Sequence, residues 1–409
     1  MRWRTMPLDA IKAPVPYAFV GGPFGSNLTT RDYVDEGVPV IRGNNLPADA
    51  PFLDDEFAFV SEKKADELRS NTASPGDLVF TQRGTLGQVG VIPGDSRFQR
   101  YIVSQSQMKL TVDPAIADAR FVYYYFRLPA TVQKVINHAL TSGVPHINLG
   151  ILKDFKITLP EIDYQQQIAG ILTAYDDLIE NNRRRMALLE EAARQLYREW
   201  FVRLRFRGHE HARITSGVPE GWKRLRLSEI AEVNRESLTG GFDGVIDYID
   251  ISAVTPGAID ETTSYDFKDA PSRARRIVRH GDIIWSCVRP NRRSYAAIWQ
   301  PAPNLIASTG FAVITPMAVP TTFMLQASTT DAFVGYLENH ARGAAYPAVV
   351  AGDFERAEIL VPRPTLIRAF NELAEPLLSQ GHTLHLQNAR LRAARDLLLP
   401  RLMNGEIDV

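Results

Sequence analysis

Arginine, amide and small hydroxyl side chains gather in three stretches of this 409-residue chain. The first joins PFGSNLTTRDY, from Pro23 to Tyr33, to VIRGNNL, from Val40 to Leu46, and offers Ser26, Asn27, Arg42, Asn44 and Asn45. The second is TQRGTLGQ, from Thr81 to Gln88, with Gln82, Arg83 and Thr85. The third runs through PSRARRIVRHGD and SCVRPNRRS, with Arg273, Arg275, Arg289, Asn291, Arg292 and Arg293. Arginine can span two acceptors of guanine in the major groove, and asparagine or glutamine can pair with an adenine edge. Hydroxyls and backbone amides suit phosphates, which position without specifying. The chemistry these types share is contact with nucleic acid. In the third stretch Arg273, Arg275, Arg276, Arg279, Arg289, Arg292 and Arg293 have only Asp282 as an acid nearby in sequence. A solvated arginine-rich face has the same composition, so both readings stay open at this point. His146 and Asn148 fit the satisfaction of local backbone better than base contact, and Tyr123 to Tyr125 fit a helix core.

No comparable signal for catalysis is present. The sequence lacks GxxxxGK[ST], and GTLGQVG has the wrong spacing for a dinucleotide fingerprint. It has no Asn-Pro-Pro-Tyr type of tetrapeptide and no Cys/His cluster at metal spacing; His209 and His211 flank Glu210 without further ligands nearby. The expectation is therefore no catalytic, cofactor or metal residue on this chain. Net charge is −1, so any nucleic-acid surface must come from the distribution of charge rather than its sum. The N-terminal residues lack the apolar core of a secretory signal, no apolar run is long enough to span a bilayer, and Cys287 is the only cysteine. These features fit a cytoplasmic protein.

The elements that would carry these residues come in two copies. Pro145, Gly150 and Pro160 correspond to Pro347, Gly352 and Pro362 at a constant offset of 202 residues, and Asn137-His138-Ala139 matches Asn339-His340-Ala341 at the same offset. PGDLVFTQRG resembles HGDIIWSCVR upstream. Short runs rich in β-branched and aromatic residues, bounded by Gly and Pro and followed by a helix, predict an α+β domain in each copy.

After each copy the period changes. Ile168, Leu172, Tyr175, Ile179, Asn182, Met186, Leu189, Ala193, Leu196 and Trp200 alternate by fours and threes, as a coiled-coil seam does. Asp163 with Gln166 is read as a capping box for this helix. Leu366, Phe370, Leu373, Leu377, Gln380, Leu384, Gln387, Leu391, Ala394 and Leu398 give the second seam, with Thr365 as N-cap, Gly405 as stop, and kinks at Pro376 and Pro400. Neither helix can bury its stripe alone, so the two are expected to pair antiparallel. The reading is thus two globular α+β domains separated by a pair of long antiparallel helices, a pseudo-two-fold repeat. Its divisions are 1–160 for the first domain, 161–204 for the central helix and 205–218 for a linker. The second domain follows at 219–362, and the C-terminal helix and tail at 363–409.

LPEIDYQQQIAGILTAYDDLIENNRRRMALLEEAARQLYREWFV, from Leu159 to Val202, closely resembles the central helical region of type I restriction–modification specificity subunits. LRAARDLLLPRLMNGEIDV is similar to their C-terminal ending, and PEGWKRLRLSEIA to the entry of their second target-recognition domain. PSRARR with STGFAVITP resembles one variety of that domain, and GPFGSNL with GVPVIRGNNL another. LIRAFNEL departs from the glutamine-rich start usual in the second helix. The resemblance spans essentially the whole chain and implies a division of labour. This chain would read a two-part DNA target, with one half for each domain and the helices as spacer. Two methyltransferase subunits would bring S-adenosylmethionine, and motor-nuclease subunits would bring ATP and Mg. A free-standing two-headed DNA-binding regulator is the alternative.

Overall fold

The computed structural model describes residues 3–140 and 145–409. Ser142, Gly143 and Val144, at the head of the repeated SGVPHINLG segment, lie outside the described residues. The chain forms two compact units, residues 1–182 with 387–409 and residues 183–386. The division falls inside both long helices, so each unit joins an α+β part to two helical segments.

In the first unit the elements run β1 (Arg4–Pro7), β2 (Phe19–Gly21), β3 (Tyr33–Val34), β4 (Val38–Ile41), β5 (Ala58–Val60), α1 (Glu62–Glu67), β6 (Thr72–Ala73), β7 (Leu78–Thr81), β8 (Val89–Val91), β9 (Tyr101–Val103) and β10 (Gln107–Leu110). Helices α2 (Ala119–Arg127), α3 (Pro129–Asn137) and α4 (Leu149–Asp154), strand β11 (Lys156–Leu159) and the long helix α5 (Ile162–Tyr197) follow. One sheet has the order β2-β10-β7-β8 and another β3-β5-β4-β9-β6, while β1 pairs with β11. β7 is buried along its whole length and apolar up to Thr81, because both its faces are covered. Leu78 and Phe80 enter the core built by α2, α4 and α5, and Val79 enters a smaller core with Phe52 and Tyr101.

The second unit repeats this plan. After a hairpin of β12 (Ile214–Thr215) and β13 (Val218–Pro219) come β14 (Lys223–Arg226), α6 (Leu227–Ile230), β15 (Ala231–Val233), β16 (Val245–Ile249), β17 (Val254–Thr255), β18 (Ala258–Ile259), β19 (Thr263–Asp266) and β20 (Ala274–Ile277). Then follow β21 (Ile283–Ser286), β22 (Tyr295–Ala297), β23 (Leu305–Ser308), β24 (Phe311–Pro316), α7 (Thr321–Ser328), α8 (Asp331–His340), α9 (Ala351–Arg356), β25 (Glu358–Val361) and the long helix α10 (Pro364–Met403). The sheets are β15-β24-β21-β22 and β19-β16-β23-β20, and β14 pairs with β25. Each unit has one parallel contact at the matching place, β4 with β9 and β16 with β23. β21 splits two cores as β7 does, with Ile283 and Trp285 on one side and Ile284 on the other.

The duplication extends to single hydrogen bonds. Asp77 Oδ2 accepts from Ser74 N–H at 2.9 Å, and Asp282 Oδ2 accepts from Arg279 N–H at 2.7 Å. The other oxygen of each takes a threonine hydroxyl, from Thr111 and from Thr315. Gly76 and Gly281, just before them, both have φ of +90°, a turn that an L side chain would strain. Asp282 is therefore a buried turn residue, not a counterion for the arginines around it.

The two long helices pair antiparallel within each unit. In the first, Asn182 Nδ2 donates to Asn388 Oδ1 at 2.9 Å, and Arg395 meets Asp176 at 2.5 Å. In the second, Tyr197 lies against Phe370, while Met186 and Leu189 share a cavity wall with Leu377 and His385. Along α5, Ile168, Leu172, Ile179 and Ala193 are buried, and Met186, Leu189 and Leu196 are half-buried. The seam of α10 corrects the sequence reading in half its positions. Phe370, Leu377, Leu384, Leu391 and Leu398 do face inward, but the alternate positions are Ile367, Ala374, Gly381, Asn388, Arg395 and Leu402. Leu373 is 51% exposed, and Leu366 is less buried than Ile367 beside it. Following leucines set this half one residue early, because the true row contains a glycine, an asparagine and an arginine.

The helix ends differ too. α5 starts at Ile162, with Tyr164 and Gln165 amides bonded to Glu161 O, so Asp163 lies inside the first turn. It is Gln165, fully buried, that binds back, donating to Ile116 O and Pro160 O and accepting from Asp118 N–H. α10 starts at Pro364, which places Thr365 inside the helix; it runs unbroken past Pro376 and Pro400. Trp200 and Phe201 pack into the second unit's core and Val202 is exposed.

Candidate nucleic-acid interface

Two of the three polar stretches prove to be the same loop in the two units. The β7–β8 connection carries Gln82, Arg83 and Thr85, and the β21–β22 connection carries Arg289, Asn291, Arg292 and Arg293. Both are tied down alike. Gln82 N–H donates to Ser106 O and its carbonyl accepts from Ile147 N–H; Cys287 N–H donates to Gly310 O and its carbonyl accepts from Val349 N–H. Arg83 forms a backbone bridge with His146 and Val288 one with Ala348. Burial pushes the Cys287 thiol up to about 11, so it stays protonated at neutral pH.

The turns at Ser104–Ser106 and Ser308–Gly310 organise each corner, and sequence reasoning did not single out the first. Gln105 Nε2 donates to Gly25 O and Leu28 O, which holds the Ser26–Asn27 turn, and Ser104 N–H donates to Ile41 O beside Arg42. In the second unit Thr309 N–H donates to Arg273 O at 2.7 Å. The signal was available: IVSQSQMKLT and IASTGFAVIT align without a gap, from Ile102 and from Ile306.

The candidates differ in availability. Ser26, Asn27, Asn44, Arg83, Thr85, Asn291 and Arg292 are exposed, and Gln82 is half-buried. Arg42 is half-buried and donates to Glu56 O. Asn45 is a correction. It is fully buried, its Oδ1 accepts from Arg42 N–H at 2.9 Å, and its Nδ2 donates to Leu53 O at 3.1 Å and Asp55 O at 2.9 Å. Its amide is consumed by backbone and has no group left for a base edge. Asn45→Ala is expected to cost about 1–3 kcal/mol, because it leaves these buried groups unpaired. A urea midpoint unchanged from wild type would show that the loop finds other partners.

The arginines of the third stretch find acids distant in sequence. Arg273 pairs with Asp250 at 3.0 Å, Arg279 binds Glu236 through two nitrogens, and Arg293 pairs with Asp331. Hydrogen bonds from Arg279 and Arg235 hold Glu236 down to about 2. Burial alone would raise the Asp250 carboxyl, but the Ser252 amide and hydroxyl, Tyr248 and Arg273 carry it below its ordinary value. Arg275 stacks over Phe267 at 4.5 Å. Arg289 and Arg293 adopt φ of +51° and +53°, a left-handed conformation that costs about 1–3 kcal/mol for a side chain of this kind. Arg289 is held there over Tyr346 and by Ala345 O, and Arg293 by Thr329 O. The Arg292 side chain has no hydrogen bond or ion pair among the described residues and projects from the loop tip. Among the described residues no group of three metal-binding side chains forms, and no helix is long and apolar enough to cross a membrane.

The family model of the type I restriction modification DNA specificity domain matches residues 28–191. This match, with the likenesses that follow, supports a type I restriction–modification specificity subunit. It is similar to the MjaIX specificity subunit of Methanocaldococcus jannaschii, at 22% identity over 86% of this chain and 82% of that one. It is also similar to the HindI specificity subunit of Haemophilus influenzae, at 21% identity over 81% and 86% of the two chains. The fold matches the crystal structure of the type I restriction–modification S subunit from M. genitalium with a TM-score of 0.60, 15% identity, and coverage of 98% and 96%. The matched region is a DNA specificity domain, and the relatives are named specificity subunits, which are non-catalytic.

Proposed function

We propose that each unit reads one half of a split DNA sequence and that the chain directs partner subunits to methylate adenine or cleave there. The observation that carries this reading is the paired corner: two loops tethered by equivalent hydrogen bonds, each presenting exposed arginine and amide or hydroxyl groups. A duplicated reader calls for a target with two parts, as half-sites do for dimeric DNA-binders. The chemistry belongs to the partners. Two methyltransferase subunits supply S-adenosylmethionine, and motor-nuclease subunits supply ATP hydrolysis with Mg, all in the cytoplasm. Co-expression with type I methyltransferase subunits, followed by sequencing of methylated adenines in the host, tests this. The expected product is one motif with two specified parts around unspecified bases. A continuous motif would count against the paired readers. Sequence-specific binding with no co-purifying methyltransferase would point instead to a free-standing regulator.

Replacing Arg289 and Arg292 together with alanine is expected to weaken DNA binding by the second unit. Where they touch phosphates, affinity falls for every sequence and the salt slope shrinks by up to about one unit per lost contact. Affinity and salt dependence equal to wild type would return these two side chains to an ordinary solvated face.

A further inference from the structure

The arginines of the second unit are not equally free to read a base. Arg279 spends one edge of its guanidinium, Nε and Nη2, on Glu236, at 3.0 and 2.5 Å. Arg275 lies on Phe267 and donates to Ala274 O, and Arg293 is bound to Asp331 and Thr329 O. Arg273 is held differently. One nitrogen, Nη2, meets Asp250 Oδ2 at 3.0 Å, and the side chain remains 56% exposed. Asp250 is itself fixed: Tyr248 OH donates to Oδ2 at 3.0 Å, and the Ser252 amide and hydroxyl donate to Oδ1 at 3.1 and 2.8 Å. The Arg273 carbonyl accepts from Thr309 N–H. Backbone and guanidinium are both anchored, yet most of the guanidinium donors are left over.

An ion pair this exposed adds little to folding stability. Its consequence is orientation, because a pre-ordered guanidinium loses less freedom when it forms the two-bond contact with guanine. The position in the fold supports a reading role. By strand register Val40 and Ile41 on β4 stand beside Ile102 and Val103, as Tyr248 and Ile249 on β16 stand beside Ile306 and Ala307. Arg42 and Asp250 are thus the counterpart residues at the end of the first parallel strand, next to Ser104 and Ser308. The first unit places an arginine there directly. The second places an aspartate there, which recruits Arg273 from the segment before β20.

We propose that Arg273 reads a guanine in the second half-site, with Asp250 and Tyr248 as its positioning residues, and that Arg42 is the corresponding reader in the first. This rests on the reading of the chain as a recogniser of split DNA. The test uses the full chain assembled with its methyltransferase subunits. Once the methylated motif is known, dissociation constants are measured on duplexes substituted at each specified pair. Arg273→Ala is expected to lose about 10- to 100-fold of discrimination at one G·C pair of the second half-site and to leave the first half-site untouched. Tyr248→Phe removes only the hydroxyl of the brace. It is expected to lose a smaller part of the discrimination at that same pair, with an unchanged thermal midpoint. Arg42→Ala is expected to act on a G·C pair of the first half-site. Equal weakening on all sequences makes Arg273 a phosphate contact and overturns the proposal, as does wild-type discrimination in the variant. A wild-type complex that methylates a defined motif while Arg273→Ala changes nothing isolates the failure to this assignment. A wild-type complex without sequence preference removes the recognition reading itself.

Discussion

Arg395→Ala is expected to destabilise the first unit by about 3–5 kcal/mol, the range found when one member of a buried ion pair is removed. Arg395 and Asp176 both lie in the interior between the paired helices, at 5% and 6% exposure. Arg395 Nη1 reaches Asp176 Oδ1 at 2.5 Å, and Tyr124 OH donates to Asp176 Oδ2 at 2.6 Å. Truncation strands the carboxylate in a place where water does not replace the guanidinium. A variant that replaces both charges, Asp176→Leu with Arg395→Met, is expected to recover most of the loss, since well-packed apolar residues often serve as well as a buried pair. Its remaining deficit comes from Tyr124, whose hydroxyl keeps only Thr173 Oγ1 at 3.5 Å. Chemical denaturation followed by circular dichroism separates these outcomes. An Arg395→Ala midpoint within error of wild type would mean that the site admits water. Burial and then Asp176 raise the Tyr124 hydroxyl above its ordinary value. The fold therefore holds this proton more tightly than the unfolded chain does, and that contribution is complete at neutral pH and fades as pH climbs beyond about 10.

The same buried groups show what a sequence reveals and what it conceals. The repeat was legible because proline and glycine recur at places both copies need: Pro145 and Pro347 precede the bridged His146 and Ala348, and Gly150 and Gly352 stand in the first turns of α4 and α9 at the same offset. The α10 seam was legible only where leucine or phenylalanine fills it. Asn388 and Arg395 look like surface residues in a linear pattern, and their partners Asn182 and Asp176 are about two hundred residues away. The interface was limited in the same way. Asn44 and Asn45 are neighbours of one type, yet one is exposed and the other is buried beneath its own loop. The arginine cluster looked unopposed because its acids, Asp250, Glu236 and Asp331, sit on other elements. Local composition located the loops; the pairing of charges across the fold decides which of their side chains can meet a ligand.

Exchanging residues 219–362 for the equivalent domain of another specificity subunit is expected to change one half of the methylated motif completely and leave the other half as it was. The geometry favours such a cut. Entry strand β14 pairs with exit strand β25, Lys223 opposite Val361 and Arg226 opposite Glu358, so the two ends of the exchanged segment are hydrogen-bonded to each other. The first unit closes in the same way, Arg4 opposite Leu159. The graft must still meet the helices it leaves in place. Phe323 packs on Tyr197 at 5.5 Å and on Phe201 at 5.3 Å, and Trp222 on Phe201 at 5.9 Å between ring centres. A donor domain without a large apolar side chain at the Phe323 position opens a cavity there, at a cost of about 3–5 kcal/mol for loss of the ring. Failure of such a graft therefore tests packing, and restoring the aromatic residue should rescue folding. Recognition is tested by a soluble exchange variant whose methylated motif is sequenced in a host carrying the methyltransferase. Altered bases in both halves would mean that the two corners do not read independently, because nothing in the first unit's β4, β7–β8 and Ser104–Ser106 corner has been changed.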